Sequence, residues 1–168
     1  MNVEEIANLL ESSGQAFVST LTALTPDAAA WHPKAQEWCV KEMVGHIILT
    51  EQNGFAGRIK FILAGDERDL PVYDRDALAR QRNDCERPPI ALKDEFVAIR
   101  KDSIALVRSL QDSQLSRGGT HPDVGRLTVN DLLHEWVHHD GNHLRQALAN
   151  VQAYVWPKMG NAQRFSSG

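Results

Sequence analysis

Cysteine is scarce in this 168-residue chain: Cys39 and Cys85 are the only two, well separated and outside any C-x-x-C motif. Their spacing suggests neither a disulfide framework nor a thiolate zinc site, so any metal is expected on histidine and carboxylate. Long apolar runs are absent too, since no stretch approaches the ~18 apolar residues of a membrane span. The start, MNVEEIANLLESSG, is acidic and amphipathic where a signal peptide is basic and then apolar. A cytoplasmic protein without a membrane partner is expected. Positive charge is not in surplus: 18 Lys+Arg against 22 Asp+Glu give a net charge of −4 and a pI near 5.9. That excludes the basic face that nucleic acid requires. No nucleotide fingerprint, phosphate loop or nucleophile elbow narrows the chemistry. Neither a repeat of roughly 20–50 residues nor a low-complexity tract is present, and no segment reads as a good strand.

Four helical blocks are present instead. In the first, Val3, Ile6, Ala7, Leu10, Phe17, Leu21 and Leu24 recur at helical spacing until Thr25-Pro26. The second runs from Val40 to about Ala64, stops at Gly65-Asp66, and is apolar nearly all round in MVGHIIL, so it is expected to be central. Residues 65–89 form a charged, proline-interrupted connector with a short helix over 74–83. The third block, Ile90 to Leu110, carries Leu92, Phe96, Ile99, Ile104, Leu106 and Val107, and SRGGTHPDVGR follows as a turn-rich loop. The fourth starts behind Thr128 as N-cap, has Asp131 in its first turn, and runs to about Val151. At roughly 100–200 residues per domain, residues 1–168 read as one all-α domain, a four-helix bundle.

Three histidines crowd HHDGNHLRQ in the fourth block. At roughly 100° per residue, Leu133, Trp136, Val137, Leu144, Ala147, Leu148 and Val151 define its apolar stripe. His143 lies roughly 65° and His139 roughly 105° from the stripe centre, whereas His134 and His138 lie roughly 115° and 155° away. His139 and His143 are one turn apart on one edge, a spacing that lets two imidazoles converge on one ion. The same spacing also suits a solvated or hydrogen-bonded pair. His46, inside MVGHIIL, needs a hydrogen-bond partner or a metal, because a charged imidazole there would be costly. Met43, Thr50, Gly54 and Gly57 share its face and leave room for a crevice.

WHPKAQEWCVKEMVGHIILTE, followed some ninety residues later by LTVNDLLHEWVHHDGNHLRQ, resembles the DinB/YfiT-like superfamily. The matching features are Trp38 and Val40, Gly45-His46 with Glu51, and H-x-x-x-H-x-x-Q at His139, His143 and Gln146. The resemblance implies a bundle with long crossover connections and one divalent ion, nickel or zinc, on His46, His139 and His143. It also implies a possible homodimer. Coordination positions left open suit catalysis. The implied activity is a hydrolase acting on a small molecule through metal-bound water. The alternatives are a low-molecular-weight-thiol S-transferase or a non-catalytic metal-binding stress protein. Cys39 departs from the family's Ser or Thr cap, so the second helix is expected to fray at its start. Imidazoles with pKa near ~6.5 must be neutral to bind, so affinity is expected to fall below that pH.

Other residues carry two readings each. Glu51 is either a carboxylate serving the site, as base or as a partner that orients a ligand, or half of a structural ion pair. It lies roughly 140° round the helix from His46, so it is not read as a ligand. Gln146 either hydrogen-bonds near the site or faces solvent. Asp140, near the centre of an apolar stripe, needs a partner on another helix. Trp31, Trp38, Trp136 and Trp156 read as core, and His32 and His121 as exposed loop residues.

Overall fold

Three of the four long helices begin where a side chain closes a reciprocal capping box, and the fourth begins on a proline. In the computed structural model, which describes residues 1–65 and 67–166, α1 (Val3–Ala23) is capped by Asn2 with Glu5. Helix α2 (Pro26–Ala29) is a single turn. Helix α3 (Val40–Leu49) is capped by Cys39, whose Sγ accepts from the Glu42 N–H at 3.4 Å while Glu42 accepts from the Cys39 N–H at 2.9 Å. This corrects the expected fraying: the thiol fills the hydroxyl's role and the box closes.

A π-helical turn, Thr50–Phe55, carries α3 without a break into α4 (Ala56–Ala64). The Ala56 N–H bonds the Glu51 carbonyl, one residue further back than in an α-helix. A Cβ on Gly57 would overlap the Gln52 carbonyl oxygen, so this widened turn needs glycine. Gly65 leaves the helix in extended conformation, and Asp66, the other half of the expected stop, lies outside the described residues. Helix α5 (Arg75–Arg82) matches the short helix expected in the connector, and a 3-10 turn (Asp84–Glu86) follows. Helix α6 (Pro89–Arg108) starts with Pro in its first turn. After α7 (Asp112–Leu115), α8 (Val129–Val155) opens on the Thr128–Asp131 box.

One correction concerns strands. Arg68–Asp69 (β1), Gly118–His121 (β2) and Gly125–Thr128 (β3) form a small sheet in that order, β1 parallel and β3 antiparallel to β2. It ties the α4–α5 connector to the loop before α8. Strands of two to four residues rich in glycine and arginine show no apolar alternation. Pairing comes from close backbone approach instead: a Cβ on Gly119 would meet the Arg68 carbonyl at 2.5 Å.

Helix α1 packs chiefly against α6 and α8, and α3 against the same two. The first and second long helices (α1, α3) and the third and fourth (α6, α8) therefore sit across the diagonals of the bundle, and the connections that join them cross over. Two apolar clusters fill it. One gathers Leu10, Ile59, Ile104, Val107 and Trp136; the other gathers Phe17, Val44, Ile48, Leu92 and Phe96. Between them lies a buried polar layer centred on Arg100 of α6. Its guanidinium meets Glu51 of the π turn at 2.8 Å, Asp140 of α8 at 2.6 Å and the Leu10 carbonyl of α1 at 2.8 Å. The Ser13 hydroxyl donates to the same Asp140 oxygen at 2.5 Å. One side chain thus holds all four long helices in register.

Candidate metal centre

Helix α3 delivers His46 and α8 delivers His139 and His143 to one point. The Nε2 atoms of His46 and His139 are 3.1 Å apart. Ring centroids are 4.5 Å apart for His46 and His143, and 4.4 Å for His139 and His143. One nitrogen from each ring lies within 4.8 Å of the others, a spread that one ion can draw together. His143 Nδ1–H donates to Gln146 Oε1 at 3.1 Å, which fixes the tautomer and leaves Nε2 as the ring's lone pair. The other histidines of α8 stay outside the group: His138 is exposed, and the His134 ring bonds the Asn130 carbonyl at 2.8 Å.

The surroundings keep the rings neutral. Burial is the main cause, holding His46 down at about 3 and His139 at about 4. The neighbouring rings and the positive charge of Arg75 act in the same direction. His143 is also lowered, again chiefly by burial, with Gln146 and Asp140 opposing. All three are thus unprotonated at neutral pH, the form that can donate a lone pair to a cation.

Glu51 is fully buried and ion-paired with Arg100. Burial pushes its carboxyl up from the ordinary value, with Arg100 opposing. Asp140 has the partner it needed, in Arg100. No protein atom among the described residues would touch a Cβ on Gly141, so helix packing does not require that glycine.

Residues 9–147 match the sequence profile of the DinB superfamily. The chain belongs to this superfamily. Among its relatives, YuaE of Bacillus subtilis is 26% identical over 141 residues, covering 75% of this chain and 85% of YuaE. YfiT of Bacillus subtilis is 26% identical over 108 residues, covering 64% of this chain and 60% of YfiT. The YfiT structure, described as a probable metal-dependent hydrolase with an unusual four-helix bundle topology, aligns with TM-score 0.82 at 21% identity over 92% of this chain and 88% of that one. A mycothiol-dependent maleylpyruvate isomerase aligns with TM-score 0.67 at 13% identity over 86% of this chain and 60% of that one.

In this DinB chain, sequence reasoning missed several residues around the centre. Trp38, read as core, lines the site: its ring is 4.7 Å from that of His46 and nearly parallel to His143 at 6.0 Å. Trp38, Glu42 and His46 line a cleft of about 410 Å³ together with Asp76, Ala79 and Arg80 of α5 and the Asn83-Asp84 turn. Asp84 fits there because Gly45, beside His46, has no Cβ to obstruct it. The glycine of Gly45-His46 was the available signal; nothing local pointed to α5. Among the described residues no helix is long and apolar enough to cross a membrane.

The metal-free protein is expected to lose stability as the pH falls from about 6.5 towards about 4. Unfolded imidazoles take up protons near ~6.5, whereas His46 and His139 stay neutral in the fold down to about 3 and about 4. The unfolded chain therefore binds more protons across that window. Stability falls by up to about 1.4 kcal/mol per pH unit for each such histidine, and levels off once the folded rings also protonate. Denaturant unfolding at several pH values in the window would measure this, and a flat profile would contradict neutral buried rings. The same shift revises the expected onset of proton competition for a metal. In the folded site His46 and His139 keep their lone pairs down to about 3 and about 4, and His143 is lowered in the same direction.

Proposed function

We propose that the protein is a metal-dependent hydrolase acting on a small molecule, with one nickel or zinc ion held by His46, His139 and His143. The observation that carries this is the convergence of three neutral imidazoles beside a cleft of about 410 Å³. Three nitrogen donors are the set that catalytic zinc sites use when other positions stay open. A divalent ion there would lower the pKa of a bound water or thiol and polarise an acceptor carbonyl.

The chain's own residues supply the rest. Gln146 holds the His143 ring by its Nδ1–H, and Trp38 and Phe55 wall the rings at 4.7 Å and 5.2 Å. The polar wall of α5 and its following turn faces a substrate entering the cleft. Glu51 acts at a distance in this proposal, through Arg100 and Asp140, by holding α8 against the π turn.

The test is elemental analysis of the purified protein followed by ester, amide and thiol-transfer assays, with chelation and metal return. Hydrolysis that disappears on chelation and returns with nickel or zinc is expected. Thiol transfer with the same dependence would replace the reaction but keep the centre. Melting that responds to metal with no turnover in any assay would reduce the site to a structural one.

A further inference from the structure

Cys39 and Cys85, far apart in sequence, lie with their Sγ atoms 3.2 Å apart. Cys39 is the cap of α3, and Cys85 sits in the 3-10 turn after α5. His32, read from the sequence as an exposed loop residue, has its Nε2 at 2.8 Å from Glu42 Oε2. The two sulfurs, one ring nitrogen and one carboxylate oxygen all lie within 4.8 Å of one another. We propose that His32, Cys39, Glu42 and Cys85 form a second cation site, for a thiophilic divalent ion such as zinc, independent of the three-histidine centre. Such a site would depart from the expectation that any metal sits on histidine and carboxylate.

The donor chemistry suits zinc, which takes thiolate, imidazole and carboxylate in tetrahedral sites. At a Zn–S distance of ~2.3 Å the two sulfurs of such a site stand about 3.7 Å apart. The thiols therefore need to part only slightly from 3.2 Å. A disulfide would engage the two sulfurs alone and would make no use of the adjacent His32 ring nitrogen. Glu42 can serve two partners, because its bonds to His32 and to the Cys39 N–H both use Oε2 and leave Oε1 outside them. The side chains of His32 and Glu42 are 37% and 33% exposed and Cys85 is half-buried, so an ion approaches from their side, whereas Cys39 forms the buried floor of the cluster. An ion here would bind the start of α3 to the turn that follows α5. That turn, with Asn83 and Asp84, is the wall of the cleft beside His46, so the second ion would fix the wall of the first ion's cleft.

The chain has no other cysteine, so thiol labelling of the intact protein reports on this cluster alone. Maleimide labelling would be followed in a thiol-free reductant with zinc absent and with zinc added. At zinc 100 times above Kd, labelling is expected to slow about 100-fold. His46→Ala should keep this protection and His32→Ala should weaken it. Cobalt in place of zinc should give thiolate-to-cobalt charge-transfer absorption, which an all-imidazole centre lacks. Equal labelling rates with and without zinc would overturn the proposal. So would protection that persists in His32→Ala but is lost in His46→Ala, because the thiols would then be shielded by the cleft ion.

Discussion

Arg100→Ala is expected to lower stability by about 3–5 kcal/mol, the cost of breaking a buried ion pair by removing one partner. Arg100 is 4% exposed, and its two carboxylate partners, Glu51 and Asp140, are 0% and 1% exposed. Without the guanidinium both are left in the core with no cation and lose bonds of 2.8 Å and 2.6 Å. The Leu10 carbonyl also loses its donor. At roughly 2–4 °C per kcal/mol for a chain of this size, the melting temperature should fall by ~6–20 °C. A loss below about 1 kcal/mol, the scale of an exposed pair, would show that the layer contributes little. Glu51→Gln should cost less, since it keeps the Arg100–Asp140 pair and removes a carboxylate that burial already pushes towards its neutral form. It also separates the roles of Glu51. If the fold and metal content survive while turnover disappears, Glu51 acts at the centre and not only as a positioning residue.

Changing His46, His139 or His143 to Ala is expected to remove most of the bound metal, with His138→Ala retaining it. Each of the three supplies one nitrogen to the converging group, whereas His138 is exposed on another face of α8. Loss of a donor should exceed the roughly 10–100-fold loss of affinity typical for partners that orient a metal-bound ring. Gln146→Ala should fall within that smaller range, because Gln146 only bonds His143 Nδ1. Metal content by elemental analysis and binding titration measure both effects. Full occupancy in His139→Ala together with loss in His138→Ala would move the site to the His134–His138 pair.

The start and approximate extent of each long helix were legible in the sequence because their causes are local, although α8 runs past the expected end near Val151 to Val155. Apolar spacing marks α1, α6 and α8, and caps such as Asn2 and Thr128 act within three residues. The shared edge of His139 and His143 follows from the helical repeat alone, and the cost of a charge in MVGHIIL singled out His46. Arg100 was readable in principle, since it lies on the core face of α6 between Phe96 and Ser103, but its partners on three other elements were not. The π turn, the small sheet, Trp38 and α5 beside the rings, and the meeting of Cys39 with Cys85 were decided only in the tertiary structure. Periodicity and capping are fixed by neighbours a few residues away, so composition and order determine them. Which side chains meet across helices depends on the path of the crossover connections, whose pairing arises from close backbone contacts at residues such as Gly119 and leaves no periodic trace in the sequence.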